Sequence, residues 1–467
     1  MPPRPNQYFC VHSHFYQPPR GNPITGDIGE EADAEKYRNW NVRITAESYR
    51  PNAEIGNFDR ISFNVGESLL AWLKKRAPET YSRIIAADRP VNQKKRVGNA
   101  IASSYHDVLL PLRRRQDKHT ELYWGKMAFR HHFGRDPQGI WLPEMAVDPD
   151  TLHVVDALGY KFTILAGGQV QGADDGAGPY WIDLGTQRRI ATFVRHDELS
   201  NDLSFNISTV GGAGHWARHK LAGRRLSKGA LTLVATNGET FGHHHLGEER
   251  FLHWLLKHEA PAIGYKITTL NEYMGIQPPI GYITVTPFSS WSDQFRITHW
   301  ITGHEGWKAS LLRALDHLAA EMFDVIREEV RPLNTDPLRL REEYIRVRLG
   351  EMTGTAFLAE CAPGLSSDEE ARYLDLLKAW VYMSKAYTGN AFYKNEFDAP
   401  PVRYAIGTAI HAMAILHGGT GVDLSAGFRN DLAPIRREGE GRDGTALYDA
   451  VYEEFFAPPE DVPVVAV

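Results

Sequence analysis

A chain of 467 residues with 42% hydrophobic and 24% charged residues can bury a full core and is long enough for one large domain or two. Its net charge of −6, with both signs mixed, supplies no basic field to gather nucleic acid or an anionic membrane, so small neutral or polar partners are favoured. Cys10 and Cys361 stand far apart without metal-ligand spacing, which speaks against a disulfide framework or a thiolate zinc site; with no apolar stretch of signal-peptide or transmembrane length, a cytoplasmic protein is the expectation.

Over the first 275 or so residues, short apolar runs alternate with longer amphipathic ones, the pattern of a parallel sheet wrapped by helices. The expected strands cover 8–12 (YFCVH), 60–66 (RISFNVG), 139–144 (GIWLPE), 161–167 (KFTILAG), 189–195 (RIATFVR), 231–237 (LTLVATN) and 265–271 (YKITTLN). About seven strands come close to the eight of a full barrel. The passage GIQPPIGYITVTPFSSW then reads as a Pro- and Gly-rich linker. Beyond it Leu311, Leu315, Leu318, Met322 and Ile326 recur at helical spacing, as do Ile406, Ile410 and Met413 after Pro400 and Pro401. The expected organisation is an α/β chain: a catalytic barrel over 1–290 and a mostly helical domain over 291–467.

The unusual polar clusters each follow a strand: HSHFYQP after the first, PEMAVD after the third, NGETFGHHH after the sixth. In a (β/α) barrel the catalytic groups come from the strand C-terminal ends, so this placement is what an active site at one barrel face predicts. Side-chain alternation puts His12 and His14 on one face, and Leu231, Leu233, Ala235 and Asn237 on one face, with Glu239 joining if the strand persists. By the same parity Ile140, Leu142 and Glu144 line up, so Glu144 and position 237 could face each other across a pocket. Acidic groups in that arrangement point to glycoside hydrolysis, one carboxylate attacking the anomeric carbon while the other protonates the leaving oxygen. No cofactor is called for. A His-rich metal site from His12, His14 and His243 is the rival enzymatic reading, although no HExxH spacing is present.

HSHFYQPP, WLPEMAVD and NGETFGHHH, in that order, resemble the signature segments of glycoside hydrolase family 57. RISFNVGESLLAWL, GNAIASSYHDVLLPL and GYKFTILAGGQVQ are similar to a largely uncharacterised bacterial branch of it. The resemblance implies an incomplete (β/α)7 TIM-like barrel with a helical C-terminal domain, acting with retention on oligo- or polysaccharides, namely α-glucans or related α-glycosides, as hydrolase or transglycosylase. It implies Glu144 as nucleophile and His12 and His14 as the histidines lining the sugar subsite, with His243 and Glu239 in the fourth segment; Gln17 and Trp141 are further candidates for sugar contact, as are Trp291 and Asp293 from the linker, where the chain departs from that branch. It also implies an aspartate, the general acid/base, where this chain has Asn237, and an amide cannot deliver a proton. Four explanations stay open: an inactivated variant, a natural glycan-binding or regulatory relative, another acid such as Glu239 or Asp293, or deamidation at Asn237-Gly238.

Overall fold

The computed structural model describes residues 7–95, 97–173, 178–224, 231–292, 296–301, 306–437 and 440–457. They divide into two compact units, one of Met1–Pro18 with Glu30–Ile297, the other of Pro19–Gly29 with Thr298–Val467.

The first unit is an incomplete (β/α)7 barrel. Its strands are β1 (Gln7–Phe15), β2 (Ser62–Val65), β3 (Ala102–Ser103), β4 (Gly139–Trp141), β5 (Phe162–Ala166), β6 (Val170–Gln171), β7 (Tyr180–Gly185), β8 (Arg188–Arg195), β9 (Leu231–Asn237), β10 (Tyr265–Ile267) and β11 (Tyr282–Val285). β1 is rich in aromatic residues and almost wholly buried, as befits a strand with neighbours on both edges and cover on both faces. It pairs in parallel with β9 on one edge, and with β2 and β10 on the other. A parallel bridge from Phe63 to Ala100 leads from β2 towards β3, and parallel ladders continue through β4 and β5 to β8. There the ring is interrupted, because antiparallel β7 takes the free edge of β8. The gap is spanned past the strand end, where the His196 N–H donates to Leu233 O at 2.8 Å and the Arg195 guanidinium to Ala235 O at 3.1 Å.

Two expectations need correction. The last expected strand stops at Ile267, because Thr269 and Glu272 form a capping box that starts a helix over Leu270–Ile276. The passage read as a linker is part of the barrel unit: β11 pairs in parallel with β7 and antiparallel with β6, and Ser289 bridges to Val147. Its glycines and prolines flank this strand rather than replace it.

In the second unit the long helices cover Trp307–Val330, Ser367–Lys385, Pro400–Thr420 and Gly444–Phe456. Leu311, Leu315, Leu318, Met322 and Ile326 are all buried, and so are Ile406, Ile410 and Met413, as their spacing required. Among the described residues no helix is long and apolar enough to cross a membrane.

Candidate active site

The barrel interior is filled by Cys10, Trp141, Phe162, Ile164, Leu231, Leu233 and Ala235. The next inward positions towards the C-terminal ends are His12 and His14 on β1 and Asn237 on β9, with His14 and Asn237 directly opposite in register. The Trp141 indole lies flat against both imidazoles, with centroids 5.2 Å from His12 and 4.8 Å from His14.

β2 supplies what holds these rings. Asn64 accepts from His12 Nε2–H at 3.1 Å and donates through Nδ2 to His14 Nδ1 at 2.9 Å, while Ser62 Oγ sits 3.1 Å from His12 Nδ1. Burial holds both imidazoles below their ordinary range, His12 to about 3 and His14 to about 4, against the opposing effect of the Asn64 hydrogen bonds. Both are therefore neutral near pH 7. Since His14 Nδ1 accepts, its proton belongs on Nε2, which makes that atom a donor available to a sugar hydroxyl.

Glu144 reaches the site by a different route from the one parity predicted. Trp141, not Ile140, belongs to the inward row, so the phase of β4 is one residue off the expectation. β4 ends at Trp141, and the following turn places Glu144 in the left-handed region, φ 56°, ψ 19°. That reversal swings the carboxylate back, where Trp291 Nε1–H donates to Glu144 Oε2 at 2.6 Å. Trp291 meets Trp141 edge to face at 5.3 Å, and the Arg195 guanidinium lies 5.1 Å over its ring. Burial pushes the Glu144 carboxyl up to about 7, against the Trp291 hydrogen bond, which lowers it. Just downstream, Asp148 caps the helix Pro149–Ala157 and accepts from buried Lys118 at 2.8 Å, which fixes the far end of the turn.

β9 stops at Asn237, so Glu239 sits in a tight turn rather than on the strand. Its carboxylate accepts from Tyr49 Oη at 2.7 Å and from the Tyr16 N–H at 3.1 Å, and Gln17 donates to Tyr49 at 3.0 Å. Burial pushes Glu239 up to about 7, opposed by these donors. The group braces the loop after β1. His243 donates its N–H to Glu239 O at 3.1 Å and holds Glu47 Oε2 at 2.6 Å through Nδ1. No hydrogen bond to the Asn237 side chain occurs among the described residues, and Asp293 lies outside them. His12, His14, Trp141, Trp291 and Glu144 thus form one contact chain that begins opposite Asn237, with Gln17, Glu239 and His243 in an adjoining network.

Among the described residues no three His, Cys, Asp or Glu side chains are placed to hold a metal ion, and both ring nitrogens of His12 have protein partners. Sequence reasoning missed Asn64 and Asp107. The polar alternation of Ser62 and Asn64 in an apolar strand was the available signal for the first. Asp107, 7% exposed at φ 55° in the loop after β3, lies within the segment GNAIASSYHDVLLPL but had no alternation to single it out.

A family model described as Glycosyl hydrolase family 57 matches residues 28–286, and one described as a domain of unknown function (DUF3536) matches 304–463. No curated protein gives a match. Among solved structures, an exo-type maltose-forming amylase from Pyrococcus sp. ST04 aligns with a TM-score of 0.78 at 14% identity, covering 97% of this chain and 93% of that one. A GH57-type branching enzyme from Pyrococcus horikoshii aligns with a TM-score of 0.61 at 15% identity, covering 96% and 95%. For a 4-alpha-glucanotransferase from Thermococcus litoralis the values are 0.56 and 16%, covering 94% and 63%. At such identities the likeness is one of fold.

Proposed function

The chain belongs to glycosyl hydrolase family 57, whose model spans residues 28–286, and from that premise we propose that it is a retaining glycoside hydrolase or transglycosylase acting on α-glucans or related α-glycosides in the cytoplasm. The observation that carries the proposal is Glu144: a carboxylate presented by a left-handed turn, held by an indole N–H at 2.6 Å, beside the wall of Trp141, His12 and His14. Flat aromatic surface and a neutral imidazole N–H suit a sugar better than a charged ligand. Three structural neighbours are named an amylase, a branching enzyme and a 4-alpha-glucanotransferase, which supports α-glucans as the substrate class.

In this reading Glu144 attacks the anomeric carbon, the leaving sugar departs with a proton, and water or an acceptor hydroxyl resolves the glycosyl-enzyme. His14 Nε2–H and Trp141 orient the ring being attacked. Asn237 occupies the acid/base position and cannot transfer a proton, which favours a second reading: a glycan-binding relative without turnover. A 5-fluoro-α-glucosyl fluoride, which stalls after attack, separates the two. A label located on Glu144 by peptide mass spectrometry, absent in Glu144→Gln, is the expected result; saturable maltooligosaccharide binding with no label and no turnover would identify a binder.

A further inference from the structure

The loop after β3 carries a second buried carboxyl group, Asp107, within electrostatic reach of Glu144 and with no role in the scheme above. β3 and β4 run parallel with Ser103 opposite Trp141, so the loops that leave them run side by side, one carrying Asp107 and the other Glu144. Both residues take positive φ, 55° and 56°, a conformation that costs a side-chain-bearing residue on the order of 1 kcal/mol. Asp107 is 7% exposed, and its Oδ1 has no hydrogen-bond partner among the described residues. The charged groups that face it are Glu144 and Glu121, both acidic. Glu121 is itself engaged by His106, through the backbone N–H at 2.9 Å and Nδ1 at 2.8 Å. No ion pair to Asp107 occurs among the described residues.

Burial, then the neighbouring charges of Glu144 and Glu121, hold the Asp107 carboxyl well above its usual range. A buried, unpaired carboxyl beside other carboxylates keeps its proton. Glu144 differs because Trp291 donates to it and so favours its ionised form. Two carboxyl groups whose surroundings push their protonation apart are what acid and nucleophile require of one site.

We propose that Asp107 is the proton donor and acceptor of glycosyl transfer in this chain, standing in for the carboxyl group that Asn237 lacks; the proposal rests on Glu144 being the nucleophile. As a Glu144 oxygen bonds to the anomeric carbon and the glycosidic C–O bond breaks, the leaving oxygen takes the proton of the Asp107 carboxyl. In the second half, Asp107 carboxylate takes a proton from water or an acceptor hydroxyl, whose oxygen bonds to the anomeric carbon and releases Glu144 as carboxylate.

The test compares maltotetraose, whose leaving alcohol needs a proton, with α-maltosyl fluoride, whose leaving fluoride needs little help. Asp107→Asn is expected to lower kcat/KM on maltotetraose about 10²–10⁴-fold and on the fluoride by less than about tenfold, while Asp107→Glu or the double variant D107N/N237D recovers at least about tenfold of the loss. Wild-type protein supplies a measurement free of folding effects: kcat/KM on maltotetraose falls at alkaline pH as the donor loses its proton, and that limb is absent for the fluoride. Equal losses on both substrates, no loss on either, or alkaline limbs that coincide overturn the Asp107 proposal and leave Glu144 untouched. A wild-type chain inert on both substrates and unlabelled by the fluoro sugar overturns the glycosidase reading itself.

Discussion

Trp291 grips Glu144 at two points: its indole N–H donates to the carboxylate at 2.6 Å and its backbone N–H donates to the Glu144 carbonyl at 3.1 Å. One residue thus sets both the conformation of the turn and the charge of its side chain. The indole donor stabilises the ionised form and opposes burial. Replacing Trp291 by Phe keeps the backbone contact and removes the side-chain donor, so the Glu144 carboxyl should rise by about one to two pKa units, given hydrogen bonds to charged groups of about 1.5–3 kcal/mol. In the proposed role of nucleophile Glu144 works ionised, so the acid limb of kcat/KM moves to higher pH, with activity lost at pH 6 and little changed at pH 9. An unmoved acid limb in Trp291→Phe would contradict this account.

Glu144 itself should weaken the fold when charged. Its folded pKa of about 7 lies above its ordinary 4.5, so the native state holds the proton more tightly than the unfolded chain, and stability falls as pH rises between those values. Glu144→Gln keeps an oxygen for Trp291 and removes the ionisation. The variant is expected to match wild type near pH 4.5 and to exceed it by about 1–3 kcal/mol at pH 8. The imidazoles of His12 and His14 titrate in both proteins and cancel in the difference. Paired urea melts at the two pH values measure it.

Asn64 bonds to two buried imidazoles at once. Asn64→Leu conserves size and leaves His12 Nε2 and His14 Nδ1 without their partner, a cost of about 2–5 kcal/mol for two orphaned groups. It also releases the His14 tautomer, so KM for a maltooligosaccharide should rise beyond what the lost stability explains. A urea midpoint within error of wild type would show that the relay is not holding the rings.

Tyr49 donates to the buried Glu239 carboxylate at 2.7 Å. Removing the hydroxyl in Tyr49→Phe takes a donor from the charged form, so Glu239 should rise further above 7. The penalty is then larger at pH 8, where the carboxylate must be buried with fewer donors, than at pH 5, where it is protonated. A loss of about 1.5–3 kcal/mol at pH 8 is expected, read as Tm against pH; equal losses at both values would contradict the assignment.

Strands with long apolar runs were legible because periodicity reports burial, and β1, β5, β8 and β9 fall within a residue or so of expectation at most of their ends. The inward pairing of His12 with His14, and of Ala235 with Asn237, followed from alternation alone. Alternation failed at Glu144, where a strand three residues long hands over to a left-handed turn that no periodicity encodes. The two residues of β3 were too few to leave a pattern, β7 was not among the expected strands, and β11 read as linker because proline and glycine surround it. Asp107 was not singled out for a related reason: it sits in a loop, where no period reports burial, and its 7% exposure is a tertiary fact.

The Ser289–Val147 bridge and the Trp291 contact join positions far apart along the polypeptide, Trp291 and Glu144 being 147 residues distant. During synthesis the turn bearing Glu144 leaves the ribosome long before the segment that secures it. A nascent chain ending before β11 would carry His12, His14 and Trp141 yet hold Glu144 without the indole N–H that favours its ionised form. Glu144 therefore gains its indole donor only once the segment that follows β11 has been made.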